Sequence, residues 1–157
     1  MPQLVKGGKY VFGWSILNED FRIRIPDEAF EEYELNKTDK VIIISGSKTS
    51  GGISITSPQR IINSGIGKIL SILKYSKESD KFLIKDLKTA KSNGRLFCWT
   101  YISKNRHIIL SKEILINYNL GVRNKLLVVR GSGIGPGFIT RGIIFEEALN
   151  HPEILVF

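Results

Sequence analysis

Arg22 and Arg24 stand one residue apart in the run Phe21-Arg22-Ile23-Arg24-Ile25. On an extended chain both guanidiniums leave one face, while Phe21, Ile23 and Ile25 leave the other. Arg106 and His107 open a related run, Arg106-His107-Ile108-Ile109-Leu110. A guanidinium fork matches phosphate or the edge of guanine through paired hydrogen bonds, so these four side chains are candidates for nucleic-acid contact. The same residues would also suit the solvent face of a half-buried strand.

Two glycine-rich stretches are the next candidates: Gly46-Ser47-Lys48-Thr49-Ser50-Gly51-Gly52 and Gly131-Ser132-Gly133-Ile134-Gly135-Pro136-Gly137. Such loops can turn backbone N–H groups toward an anion, and Gly46, Ser47, Lys48, Gly131, Ser132 and Gly133 are the residues that would do so. Neither stretch is a P-loop or a dinucleotide fingerprint. Ser47 precedes Lys48 where glycine is required, and Pro136 stands where the fingerprint needs glycine before a helix. Tight connections between strands are the alternative reading.

No set of nucleophile, base and acid is evident, so an enzyme is not expected. Cys98 is the single cysteine, which forbids an intrachain disulfide and a cysteine zinc cluster. Two histidines, His107 and His151, are too few for a histidine-rich metal site, and no cofactor is implied. Aliphatic runs such as Val41-Ile42-Ile43-Ile44 are far short of the roughly 20 residues that span a bilayer. Met1 to Trp14 carries no continuous apolar segment that would serve as a secretion signal. A reducing, cytoplasmic setting without membrane contact is expected.

The charge is unevenly spread. Of a net +8, residues 1–50 contribute 7 basic and 8 acidic side chains, residues 51–104 contribute 10 and 3, and residues 105–157 contribute 6 and 4. The middle third therefore holds nearly all the excess, and a basic field of this kind attracts polyanions. Lys81, Lys85 and Lys88 lie within it. With Leu83, Leu87 and Ala90 at helical spacing, this segment reads either as a basic amphipathic helix touching nucleic acid or as a solvated linker.

The elements that would position these groups repeat. Residues 8–72 and 93–157 align without gaps at an offset of 85, with twelve identities over 65 positions. Phe12 meets Phe97, Trp14 meets Trp99, Ile23 meets Ile108, Tyr33 meets Tyr118, Leu35 meets Leu120 and Lys40 meets Lys125. Residues 73–92 are then the connector. Each copy reads as an aromatic-rich strand (10–17 or 96–102), a polar turn and a short strand (21–25 or 106–110). A short helix follows (27–34 or 112–119), introduced by Pro26 or capped by Ser111, then an apolar strand (40–45 or 125–130), a glycine loop and a last strand. Phe145 to Leu149 reads as a further short helix near the C-terminus. One ββαββ unit is too small to enclose a core, whereas two packed together can close a barrel.

The stretch Phe21-Arg22-Ile23-Arg24-Ile25-Pro26-Asp27-Glu28-Ala29-Phe30, followed by Leu35 and Asp39-Lys40-Val41, resembles the AbrB/SpoVT family. Its second occurrence is His107-Ile108-Ile109-Leu110-Ser111-Lys112-Glu113 with Leu120 and Asn124-Lys125-Leu126. The resemblance implies a mainly β swapped-hairpin barrel, here an intramolecular pseudo-dimer of two ββαββ repeats with short helices. It also implies a DNA-binding transcriptional regulator or antitoxin-like protein. Arg22 falls on the family's basic position, with Arg24 nearby and His107 and Arg106 in the second copy, and the connector lysines would add attraction. The expected partner is duplex DNA, with a protein partner or further self-association also open. The alternative function is a module for an anionic metabolite or a protein partner that has lost DNA contact. Its support is the glycine loops and the acidic residues Glu31, Glu32 and Glu34, which would repel phosphate.

Overall fold

The computed structural model describes residues 8–62, 75–76, 81–82, 90–92, 95–131 and 134–157. The first half runs β1 (Val11–Ile16), β2 (Arg22–Arg24), α1 (Asp27–Glu32), a 3-10 turn (Leu35–Lys37), β3 (Lys40–Ser45), β4 (Ile53–Thr56) and α2 (Pro58–Ile62). Three short strands come next: β5 (Tyr75–Ser76), β6 (Lys81–Phe82) and β7 (Ala90–Ser92). The second half runs β8 (Arg95–Ile102), β9 (His107–Ile109), α3 (Lys112–Asn117), β10 (Lys125–Val129), β11 (Gly137–Ile139) and α4 (Ile143–Ala148).

Eight of these strands form one nearly closed antiparallel barrel in the order β1-β10-β11-β4-β3-β8-β9-β2. Its two ends meet where Leu17 bridges Ile23, and closure of this kind leaves little unpaired edge. The fold is thus mainly β with a few short helices, as expected. Four of the ladders cross between halves: β1 with β10, β3 with β8, β4 with β11 and β2 with β9.

The registers recur at the 85-residue offset. Trp14 faces Leu127 as Trp99 faces Ile42, and Ile16 faces Lys125 as Tyr101 faces Lys40. Ile23 faces Ile108, and Ile53 faces Phe138, each pair being its own counterpart. Single bonds recur too. The Ser15 hydroxyl donates to the Arg24 carbonyl, and the Thr100 hydroxyl to that of Ile109. The Ile25 amide donates to Arg106 at 2.7 Å, and the Leu110 amide to Phe21 at 2.9 Å.

The apolar strands lack polar alternation because both of their faces are covered. Val41, Ile43, Leu126 and Val128 face the barrel interior with Ile23, Ile108, Cys98 and Phe138. Leu127 and Val129 face outward, under Ala148 of α4 and Ile154, beside Val11 and Trp14. Burying a side chain of this size contributes roughly 1.5–3 kcal/mol, so the ladder crossings and the core specify the same pairing.

The short elements differ from the sequence pattern in instructive ways. Phe21 and Arg106 have φ of 63° and 66°, so each closes a turn and the paired strands begin one residue later. Phe21 therefore stands outside the strand alternation, although it packs against the core. Glu34 and Asn119, at φ 55° and 54°, end both helices earlier than expected. Pro58, at the first position of α2, begins a helix the pattern did not mark. The C-terminal helix starts at Ile143, two residues before the expected Phe145.

Two different segments cover the outer edges of the matching strands β1 and β8. The edge of β8 is covered by β7, where Ala90 faces Phe97. Ala90 thus lies in a strand, not on the helical stripe its spacing suggested; Leu83 and Leu87 lie outside the described residues. The edge of β1 is met by the C-terminus, since the Trp14 amide donates to Leu155 and the Phe157 amide to Trp14, both at 2.8 Å. Gly13 permits this approach: its φ is +148°, and a Cβ there would stand 2.7 Å from the Phe157 ring.

Candidate functional site

Antiparallel pairing of β2 with β9 decides where the arginines go. Arg22 lies opposite Ile109 and Arg24 opposite His107, with the buried Ile23–Ile108 pair between them. Alternation sends the isoleucines inward, so the arginines must face out. Arg24 donates to the Asp27 carboxylate at 3.0 Å, and Arg106 Nε lies 3.5 Å from the same carboxylate oxygen. Two guanidiniums from opposite halves of the chain are therefore held side by side on one carboxylate. The Arg106 guanidinium also lies 5.5 Å from the centre of the Phe30 ring. Arg22 is 3.7 Å from Asp20.

These side chains are 45%, 39% and 37% exposed for Arg22, Arg24 and Arg106. The Nε atoms of Arg24 and Arg106 are buried without a hydrogen-bond partner, the 3.5 Å approach to Asp27 being too poorly aligned to count as one. A guanidinium has five N–H donors, and Arg24 directs a single one to Asp27. The outward N–H groups of both guanidiniums remain open to an incoming acceptor. Three guanidiniums against Asp20 and Asp27 leave one net positive charge. His107 sits beside this group, half-buried, its amide bonded to the Ser103 hydroxyl at 3.2 Å.

The acidic helix is less repulsive than its sequence suggests. Arg130 crosses from the other half and grips both oxygens of Glu32, at 2.9 and 2.5 Å, while lying 4.5 Å from the Tyr10 ring centre. Lys37 bonds Glu34 at 2.9 Å and holds its carboxyl below the usual value. The Tyr10 hydroxyl donates to Glu28 at 2.7 Å, and that bond raises the phenol's pKa.

The glycine loops approach each other at the barrel rim. Gly46, Ser47 and Gly131 line a small cavity of about 200 Å³ together with Lys9 and Arg95. Three N–H groups of the first loop are used within the rim. Gly46 donates to Gly52 at 2.9 Å, Gly51 to Ser47 at 2.8 Å and Ser50 to the Ser47 hydroxyl at 3.2 Å. The Lys48 carbonyl accepts two bonds from Arg141, at 3.0 and 2.7 Å. A Cβ on Gly46 would collide with the Gly51 carbonyl, and one on Gly131 with that of Gly135. Close backbone passage accounts for these glycines. Ser132 and Gly133 lie outside the described residues, as do Lys85 and Lys88, while Lys81 begins β6.

Several other groups are withdrawn from chemistry. Trp14 and Trp99 are buried, so neither ring is presented to a base. Burial pushes the Cys98 thiol up to about 11, which leaves it protonated at neutral pH. Among the described residues, no three His, Cys, Asp or Glu side chains gather as a metal site, and no helix is long and apolar enough to cross a membrane.

Asp27 is the member of this cluster that the sequence pattern missed. It reads as an ordinary acidic residue opening a helix, and only its spacing of three from Arg24 hints at an ion pair. Compared with known proteins, the chain matches no protein-family model and no curated protein.

Proposed function

We propose that the chain is a tandem duplication folded as an AbrB-like swapped-hairpin pseudo-dimer, and that it binds duplex DNA as a transcriptional regulator or antitoxin-like protein. The recurrence of strand registers and single hydrogen bonds at an 85-residue offset supports the duplication. The DNA reading is carried by one observation: half-exposed guanidiniums from both halves, Arg24 and Arg106, are clustered on Asp27 with donors to spare. Arg22 extends the group along β2, and His107 flanks it. Phosphate would compete with Asp27 for these donors, and the basic middle third would add attraction independent of sequence.

The test is fluorescence anisotropy of a labelled mixed-sequence duplex, titrated at several salt concentrations. Each lost phosphate contact lowers the log–log salt slope by about 0.9. Arg22→Ala with Arg24→Ala should therefore weaken binding and flatten the slope by about 2. An unchanged slope in a folded double variant would overturn the assignment.

A further inference from the structure

A second surface of the molecule departs from the internal correspondence. Between the 3-10 turn after α1 and the turn joining β8 to β9 lies a cavity of about 460 Å³. That volume falls within the roughly 300–1,000 Å³ common for small-molecule sites. Phe30, Leu35 and Ile102 provide apolar lining, and Lys37, Lys40 and Lys104 provide cationic lining.

At the corresponding place in the other half, the two turns are tied together. Arg123 binds Glu19 through two of its nitrogens, the Nε contact being 3.2 Å. The Arg123 amide also donates to the Leu17 carbonyl at 2.7 Å. The residues 85 positions away are Thr38 for Arg123 and Lys104 for Glu19. Thr38 has an extended φ of −136°, where Arg123 has +73°. The Ile102 amide donates to Asp39 at 3.0 Å, as Leu17 does to Asn124, but among the described residues no second backbone bond joins Thr38 to Ile102 and Lys104 has no ion pair. A salt-bridged turn in one half is thus an open cavity edged by an unpaired cation in the other.

The charge balance favours an anion. Among the described lining residues, Asp39 is the one carboxylate against three lysines. Glu34 neutralises Lys37 from outside the lining, whereas Lys104 has no ion pair among the described residues. Lys104 is free to move toward a ligand, because it would break no ion pair in doing so.

We propose that this cavity binds a small organic anion: a carboxylate or similar acid on an apolar body, with the body against Phe30, Leu35 and Ile102 and the acid on Lys104. The proposal does not rest on DNA binding: none of Arg22, Arg24, Arg106 and Asp27 lines the cavity, and their link to it is Arg106 against the Phe30 ring.

The probe is 2-naphthoate, followed by ¹H–¹⁵N NMR shifts, with neutral 2-naphthalenemethanol as comparator. A ligand of this size should bind with a Kd on the order of 1 mM or tighter, with saturable shifts confined to Phe30 and residues 35–40 and 102–104. The neutral alcohol should bind several-fold more weakly. Thr38→Arg with Lys104→Glu installs the pairing seen at Arg123 and Glu19, and should weaken naphthoate by about tenfold or more. If that variant loses its dispersed spectrum, Lys104→Gln decides, with weakened binding expected. Absence of saturable shifts, shifts elsewhere, equal binding of the alcohol, or unchanged binding in a folded variant would each overturn the proposal.

Discussion

Removing the charge of Asp27 should tighten duplex binding, which is the opposite of what damage to the fold would do. In the free protein the Asp27 carboxylate competes with phosphate for Arg24 and Arg106, at 3.0 and 3.5 Å. In bulk water each contact carries about 1 kcal/mol of Coulomb energy. Exposed pairs measured as a net effect are worth roughly 0.2–1 kcal/mol, and Asp27 is half exposed. Taking about 0.5 kcal/mol for each pair, Asp27→Asn releases about 1 kcal/mol, or about fivefold in Kd. A cost is expected on the folding side, because Asp27 lies in the first turn of α1, where a carboxylate contributes about 0.3–1 kcal/mol. Anisotropy titrations on a mixed-sequence duplex would read the first effect, and urea unfolding the second. The decisive comparison adds Asp27→Asn to a protein already carrying Arg24→Ala and Arg106→Ala, where the tightening should largely vanish. Equal or weaker binding by a folded Asp27→Asn protein would refute the reasoning. So would a fivefold gain that persists without the two arginines.

Ile108 faces Ile23 at the centre of the β2–β9 ladder, and both are fully buried. Ile108→Ala should lower the unfolding free energy by about 2–5 kcal/mol, seen as a lower urea midpoint at constant slope; a loss below about 1 kcal/mol would mean that this crossing carries little of the core. His151 lies between Glu153 at 2.6 Å and Glu147 at 3.2 Å, and these hydrogen bonds raise its pKa above the usual 6.5. A raised folded-state pKa stabilises the fold fully below about 6.5, and this stabilisation is lost as pH climbs through the higher folded value. His151→Gln should therefore cost stability at about pH 5 and much less at about pH 8. Thermal unfolding at both values checks this, and an equal cost at the two would contradict it.

The strongest periodic signals in the sequence were reliable because local chemistry sets them. β3 spans Lys40–Ser45 as its unbroken apolar run suggests, and Ser111 caps α3 through a 3.2 Å bond to the Ile114 amide. Element ends were less legible. Helices read as 27–34 and 112–119 stop at Glu32 and Asn117, because Glu34 and Asn119 turn left-handed without a glycine to announce it. Segments whose pairing is long-range were least legible: β7 exists because the edge of β8 needs a partner, and residues 155–157 lie along β1 because Gly13 admits them.

By itself the sequence indicated that two like segments, each small for a core of its own, could share one interior, and that Arg22 and Arg24 would face outward while Ile23 faced in. Alternation and burial are properties of neighbouring residues, so they can be read along the chain. Only the tertiary structure decided that Arg24 and Arg106 share Asp27, that Arg130 quiets Glu32, and that Lys104 edges a cavity where Glu19 closes a salt bridge. Each of these contacts depends on which strand lies beside which, and that is settled by the packing of the whole barrel.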